Sequence, residues 1–170
     1  MTMILIQAEA LLAISNNIDK LNELDSLLST PSQENARLTL QLLNEGYITG
    51  LTKWVFISPQ YTHLIGDYNP MIKNENLRFR VQMHYRDNES RIQVKDDIND
   101  YVKEYKDLED MLNPDEGAIR ENSAVIFSNQ FRNKIKRLLS EYEALENFTN
   151  NTRAIEEMLI EQIDIELENW

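Results

Sequence analysis

The chain has 170 residues, 29 acidic against 17 basic side chains, a formal net charge of −12 and no cysteine, which excludes disulfides, thiolate metal sites and a cysteine nucleophile. An apolar fraction of 42% with 8% aromatic residues is enough to build a core and excludes wholesale disorder, while four glycines and four prolines point to few tight turns and long elements. No window approaches the roughly 20 apolar residues of a membrane span. The start, Met1-Thr2-Met3-Ile4-Leu5-Ile6, lacks a basic leader and runs into Gln7 and Glu9, so the cytoplasm is the expected location.

In residues 4–28, Leu11, Ile14, Ile18, Leu21, Leu24 and Leu28 recur at helical spacing, with Asp19, Lys20, Glu23 and Asp25 mostly off the stripe. Thr30-Pro31-Ser32-Gln33 predicts a new helix start, with Thr30 as N-cap, proline at the first helical position and glutamine at the capping-box position. Ala36, Leu40 and Leu43 supply the next apolar face, and Gly46 is placed to stop the helix. Leu21, Leu24, Leu27 and Leu28, followed by Glu34-Asn35-Ala36-Arg37-Leu38-Thr39-Leu40-Gln41-Leu42-Leu43, resemble the short helical leader found before leucine-rich repeats in some bacterial proteins. The resemblance covers residues 21–43, no such repeats follow, and it implies a bacterial interaction protein without naming a binding residue.

Leu51, Trp54, Val55, Ile57, Tyr61 and Leu64 predict two short helices over 50–57 and 59–65, separated because Pro59 would break a continuous one; a buried strand at 54–57 fits as well. The aromatic group Tyr47, Trp54, Phe56, Tyr61 and Tyr68 has the composition either of a core or of a binding hot spot. Asp67–Asn76 reads as a loop. The period then changes. Leu77, Phe79, Val81, Met83 and Tyr85 alternate with Arg78, Arg80, Gln82, His84 and Arg86, Asp87-Asn88-Glu89-Ser90 is turn chemistry, and Ile92 and Val94 resume the alternation. This predicts a β-hairpin over about 77–95.

A helix capped by Asp96 or Asp97 follows, carrying Ile98, Tyr101, Val102, Tyr105, Leu108 and Leu112, and Asn113-Pro114 ends it. After a polar loop at 113–122, the stripe Ala124, Phe127, Phe131, Ile135, Leu138, Tyr142 and Leu145 predicts a long helix. Asn150-Asn151-Thr152 reads as a turn before a second stripe of Ile155, Met158, Leu159, Ile163 and Leu167, which makes a C-terminal helical hairpin. The expected architecture is mainly α. It is a bundle-like single domain over 1–170 with N-terminal helices at 1–66, a β-hairpin at about 77–95, and C-terminal helices at 96–170 that include the long helical hairpin.

Chemistry-bearing motifs are scarce. His63 and His84 belong to no Glu-x-x-His pair, and no phosphate loop, nucleophile elbow or calcium loop is present. The expectation is therefore no catalytic residue, no metal site, no cofactor and no enzyme activity. Charge is the distinctive feature: the net values over 1–50, 51–95, 96–140 and 141–170 are −4, +3, −3 and −8. Glu156, Glu157, Glu161, Asp164 and Glu168 form a candidate acidic face for a basic partner protein. Arg78, Arg80, Arg86, Arg91 and Lys95, on the polar face of the expected hairpin, form a candidate face for nucleic acid or an acidic partner, although the total charge opposes a polyanion. A second basic cluster, Arg132, Lys134, Lys136 and Arg137, either pairs with the chain's own acidic helices or faces outward.

These features predict a non-enzymatic protein-binding protein: an inhibitor, an immunity protein or an accessory subunit of a bacterial or phage defence-related complex, with no membrane partner. The alternatives are a self-assembling structural protein of virion type, working as a homo-oligomer, and a nucleic-acid-contacting subunit.

Overall fold

The computed structural model of the chain describes residues 2–44, 72–86, 88–112 and 119–168, with side chains at 11–43, 72–84, 96–107, 110–112, 121–166 and 168. The predicted short helices at 50–57 and 59–65, the Gly46 stop and the aromatic group from Tyr47 to Tyr68 lie outside the described residues. Those residues form six helices: α1 (Thr2–Ser29), α2 (Gln33–Asn44), α3 (Glu75–Arg86), α4 (Asn88–Glu109), α5 (Ile119–Ile126) and α6 (Asn129–Glu168).

The mainly helical class is therefore correct and the β-hairpin is not, since no strand occurs among the described residues. Residues 77–86 belong to α3 and residues 88–95 to α4. The sequence fits both periods: Leu77 and Val81 are one helical turn apart and buried, and His84 continues their line. Phe79 and Met83, which supplied the alternation, are also one turn apart, on the opposite, exposed side. Helix α4 thus starts well before the anticipated Asp96 or Asp97 cap.

The spine is α6, 40 residues without a break and about 60 Å long. The predicted turn at Asn150-Asn151-Thr152 is absent. Thr149 donates its hydroxyl to the Leu145 carbonyl at 2.7 Å and Thr152 donates to that of Phe148 at 2.9 Å. Both threonines are buried, and a β-hydroxyl satisfied by the i−4 carbonyl lets the helix run on. The break falls instead at Ser128, whose Oγ accepts the Phe131 N–H at 3.2 Å as an N-cap. It separates α5 from α6 and leaves Ala124, assigned to the stripe by spacing, exposed.

Contacts along α6 fix the topology. Asn17 and Asp25 of α1 meet Tyr142 and Arg132, so position climbs on one helix as it falls on the other, and the pair is antiparallel. Tyr101 and Glu104 of α4 meet Arg137 and Lys134, again antiparallel. So is α3, whose preceding residue Asn74 meets Glu166 and whose His84 meets Glu156. Consequently α3 and α4 follow one another along α6 in the same direction, α3 beside its C-terminal third and α4 beside its N-terminal half. The segment expected to fold back on itself extends along the spine.

The N-terminal half of α6 is the core of a bundle. Phe131, Ile135, Leu138, Tyr142 and Leu145 are at most 1% exposed and pack with Ile14, Leu21, Leu24 and Leu28 of α1 and Ile98, Val102 and Tyr105 of α4. Side chains of this kind contribute about 1.5–3 kcal/mol each on burial. Helix α2 turns back from α1 through a tied corner. Ser32 Oγ accepts the Asn35 N–H at 3.0 Å, and Asn35 Nδ2 donates to the carbonyls of Leu27 and Thr30. The N-cap is thus Ser32, not Thr30.

Arg132 and Lys134 are half-buried in ion pairs, while Arg137, although exposed, rests on a neighbouring ring. Arg132 pairs with Asp25 at 3.4 Å and donates to Ser29 Oγ at 2.8 Å, while Lys134 pairs with Glu104 at 3.3 Å. The Arg137 guanidinium stacks 4.2 Å above the Tyr101 ring. Lys136 remains exposed.

Tyr142 crosses the bundle to accept a hydrogen bond from Asn17 Nδ2 at 3.1 Å. Burial pushes its phenol from 10.0 up to about 12, partly countered by that bond. The unfolded phenol ionises first, so the stabilisation is complete below pH 10 and is lost as pH rises to about 12. The loss should be about 2–3 kcal/mol. Urea unfolding of wild type and Tyr142→Phe across this window measures it, with the tyrosine-specific part of the loss absent from the variant.

Candidate functional site

Beyond Thr152, α6 runs on with α3 packed alongside it, and this pair of helices forms an arm. The seam between them is thin: Leu77, Val81 and Leu159 are buried, with Ile72 and Ile163 partly so. Asn74 caps α3 by accepting the Leu77 N–H at 3.1 Å, and its own N–H donates to Glu166 Oε1 at 3.0 Å. A carboxylate at a helix N-terminus is favourably placed against the helix dipole, so Glu166 pins the start of α3 to the spine.

Within the arm, His84 Nε2 lies 2.9 Å from Glu156 Oε1, with the two side chains only 4% and 11% exposed. His84, expected on the polar face of a strand, is thus buried. Glu156, assigned to the acidic face, is part of the α3–α6 contact instead. The 77, 81, 84 spacing of a helix face was the signal that could have found this pair.

The other four acidic candidates stand together. Glu157, Glu161, Asp164 and Glu168 are all exposed, and their 4-3-4 spacing keeps them in one line along a helix. That line lies opposite Leu159 and Ile163, which face α3. Glu157 pairs with Arg153 at 2.9 Å, an exposed contact that water and salt readily replace.

The basic candidates are dispersed. Arg78 and Arg80, two residues apart on a helix, leave α3 in nearly opposite directions; Arg78 pairs loosely with Glu75 at 3.8 Å and Arg80 is exposed. Arg86 ends α3, and Arg91 and Lys95 sit one turn apart on α4, their side chains outside the described ones. The strand face that was to hold all five together does not exist.

On one flank of the arm, Lys73, Asn74, Asn76, Leu77 and Arg80 face Gln162, Ile165 and Glu166 across an open groove of about 720 Å³. Glu166 Oε2 is buried and takes no hydrogen bond from the described residues. The arm also carries a concentration of exposed apolar side chains: Phe79, Met83, Ile155, Met158, Ile160 and Ile165 are 40–61% exposed. Elsewhere among the described residues only Leu12 and Met111 match them. No group of three or more histidines and carboxylates among the described residues is placed to hold a metal ion, and no described helix is long and apolar enough to cross a membrane. No protein-family model, curated protein or solved structure matches this chain.

Proposed function

We propose that the chain is a non-enzymatic protein-binding protein whose C-terminal arm docks on a basic surface of another protein. The observation that carries this reading is the line of Glu157, Glu161, Asp164 and Glu168, exposed on the side of α6 that α3 leaves open. These carboxylates project from a helix whose other end is anchored in the bundle core, so the charge is held on a rigid support rather than on a loop. Such a line steers a cationic partner during approach and covers its basic site on docking, which is the action of an inhibitor, an immunity protein or an accessory subunit.

The test is capture of partners by the purified chain. One stoichiometric protein with a basic contact surface should be retained, and it should be lost when Glu157, Glu161 and Glu168 become Gln and Asp164 becomes Asn. Equal retention by the variant would refute docking through this line.

A further inference from the structure

Ile155, Met158, Gln162 and Ile165 follow the 3-4-3 spacing of a heptad seam. They lie beside the contact with α3, not beneath it, and Ile155, Met158 and Ile165 are 40–54% exposed. The seam has margins of opposite charge. On the α3 side, Lys73 and Arg80 share the groove with Gln162, Ile165 and Glu166, whose carboxylate accepts the Asn74 N–H, so the two cations outnumber the one carboxylate there. On the far side stand the exposed Glu161 and Glu168, at the positions that flank a seam between paired helices.

A strip with one basic and one acidic edge matches itself in only one of two orientations. Two copies packed antiparallel across the strip set basic edge on basic edge. Two copies packed parallel, about a two-fold axis along the strip, set each basic edge on the other's acidic edge. The heights agree with the parallel arrangement. Since Asn74 meets Glu166 and His84 meets Glu156, Arg80 stands level with position 160 of α6 and Lys73 with position 167. In a parallel, in-register pair they come beside Glu161 and Glu168 of the second copy.

We propose that the chain pairs with a second copy of itself through the C-terminal third of α6, parallel and in register. Ile155, Met158 and Ile165 pack on their counterparts, and Gln162 meets Gln162 across the axis, where a polar residue in an apolar seam sets the register. The pairing goes beyond the docking reading and does not rest on it: it engages Glu161 and Glu168 of the acidic line and leaves Glu157 and Asp164 facing outward.

The experiment is sedimentation equilibrium of the full chain, with helix content checked by circular dichroism. A reversible monomer–dimer equilibrium is expected for wild type, and monomer for Ile155→Asp combined with Ile165→Asp. Glu161→Lys and Arg80→Glu should each weaken the dimer about tenfold, because like charges then meet twice per dimer. Combining the two in one chain should restore it. Changing Glu157 to Gln and Asp164 to Asn should leave it unaltered, which separates this test from that of partner docking. The chain has no cysteine, so Ile155→Cys supplies a single thiol that should join two copies on oxidation. A wild-type chain that stays monomeric into the sub-millimolar range overturns the proposal and leaves the seam to a foreign helix. So does a dimer indifferent to the charge reversals, or one that cross-links only between Ile155→Cys and Ile165→Cys chains, the antiparallel result.

Discussion

Val81→Asp should destabilise the arm by about 3–5 kcal/mol, while Met83→Asp should change stability by no more than about 0.5–1 kcal/mol. Val81 is 6% exposed and packs with Leu77 and Leu159, whereas Met83 is 40% exposed. An aspartate at 81 would sit between two apolar side chains with the carboxylates of Glu156 and Glu166 on the facing helix, so it would gain no compensating partner. The contrast is diagnostic, because positions 81 and 83 share a face in a strand and take different sides of a helix. Urea unfolding of both variants measures it, with amide exchange over 156–166 showing whether the loss is confined to the arm. Equal damage from the two substitutions would contradict the helical assignment of α3.

Asn151→Pro should cost about 3 kcal/mol or more and kink α6. Asn151 is exposed and its side chain supports no packing, so the whole effect comes from the backbone. Proline removes the N–H that bonds toward Asn147, and its ring collides with that carbonyl. Were 150–152 a turn between two helices, a proline there would be accepted with little cost. A thermal melt gives the magnitude, and loss of the His84–Glu156 contact, followed through the His84 ring resonances, would show the arm parting from its register.

The bundle was legible because its stripes are long and unambiguous. Leu21, Leu24 and Leu28, and Phe131, Ile135, Leu138, Tyr142 and Leu145, repeat at helical spacing over many turns, and each is buried as that spacing requires. The acidic line was legible for the same reason, since 157, 161, 164 and 168 keep one face of a helix whatever packs on the other. Three features were not. Residues 77–85 carry apolar groups on two faces of a helix, which imitates alternation, and only tertiary packing decides which face is covered. Thr149 and Thr152 look like turn residues until their hydroxyls are seen bonded within the helix. Glu156 cannot be told from its acidic neighbours until α3 brings His84 to it, because a long-range partner leaves no local trace in composition.

The proposal that the acidic line of the arm is the docking surface is tested most directly by association kinetics with the captured partner. Wild type is compared with the variant carrying Gln at Glu157, Glu161 and Glu168 and Asn at Asp164, at low and at raised ionic strength. Exposed charges contribute little to folding, so the variant should melt within about 1 kcal/mol of wild type. Wild type should associate fast at low salt and slow markedly as salt rises, whereas the variant should be slow throughout and nearly salt-independent, because rim charges act mainly through the encounter rate. An intact variant that associates as fast as wild type at low salt would contradict the docking surface assigned here.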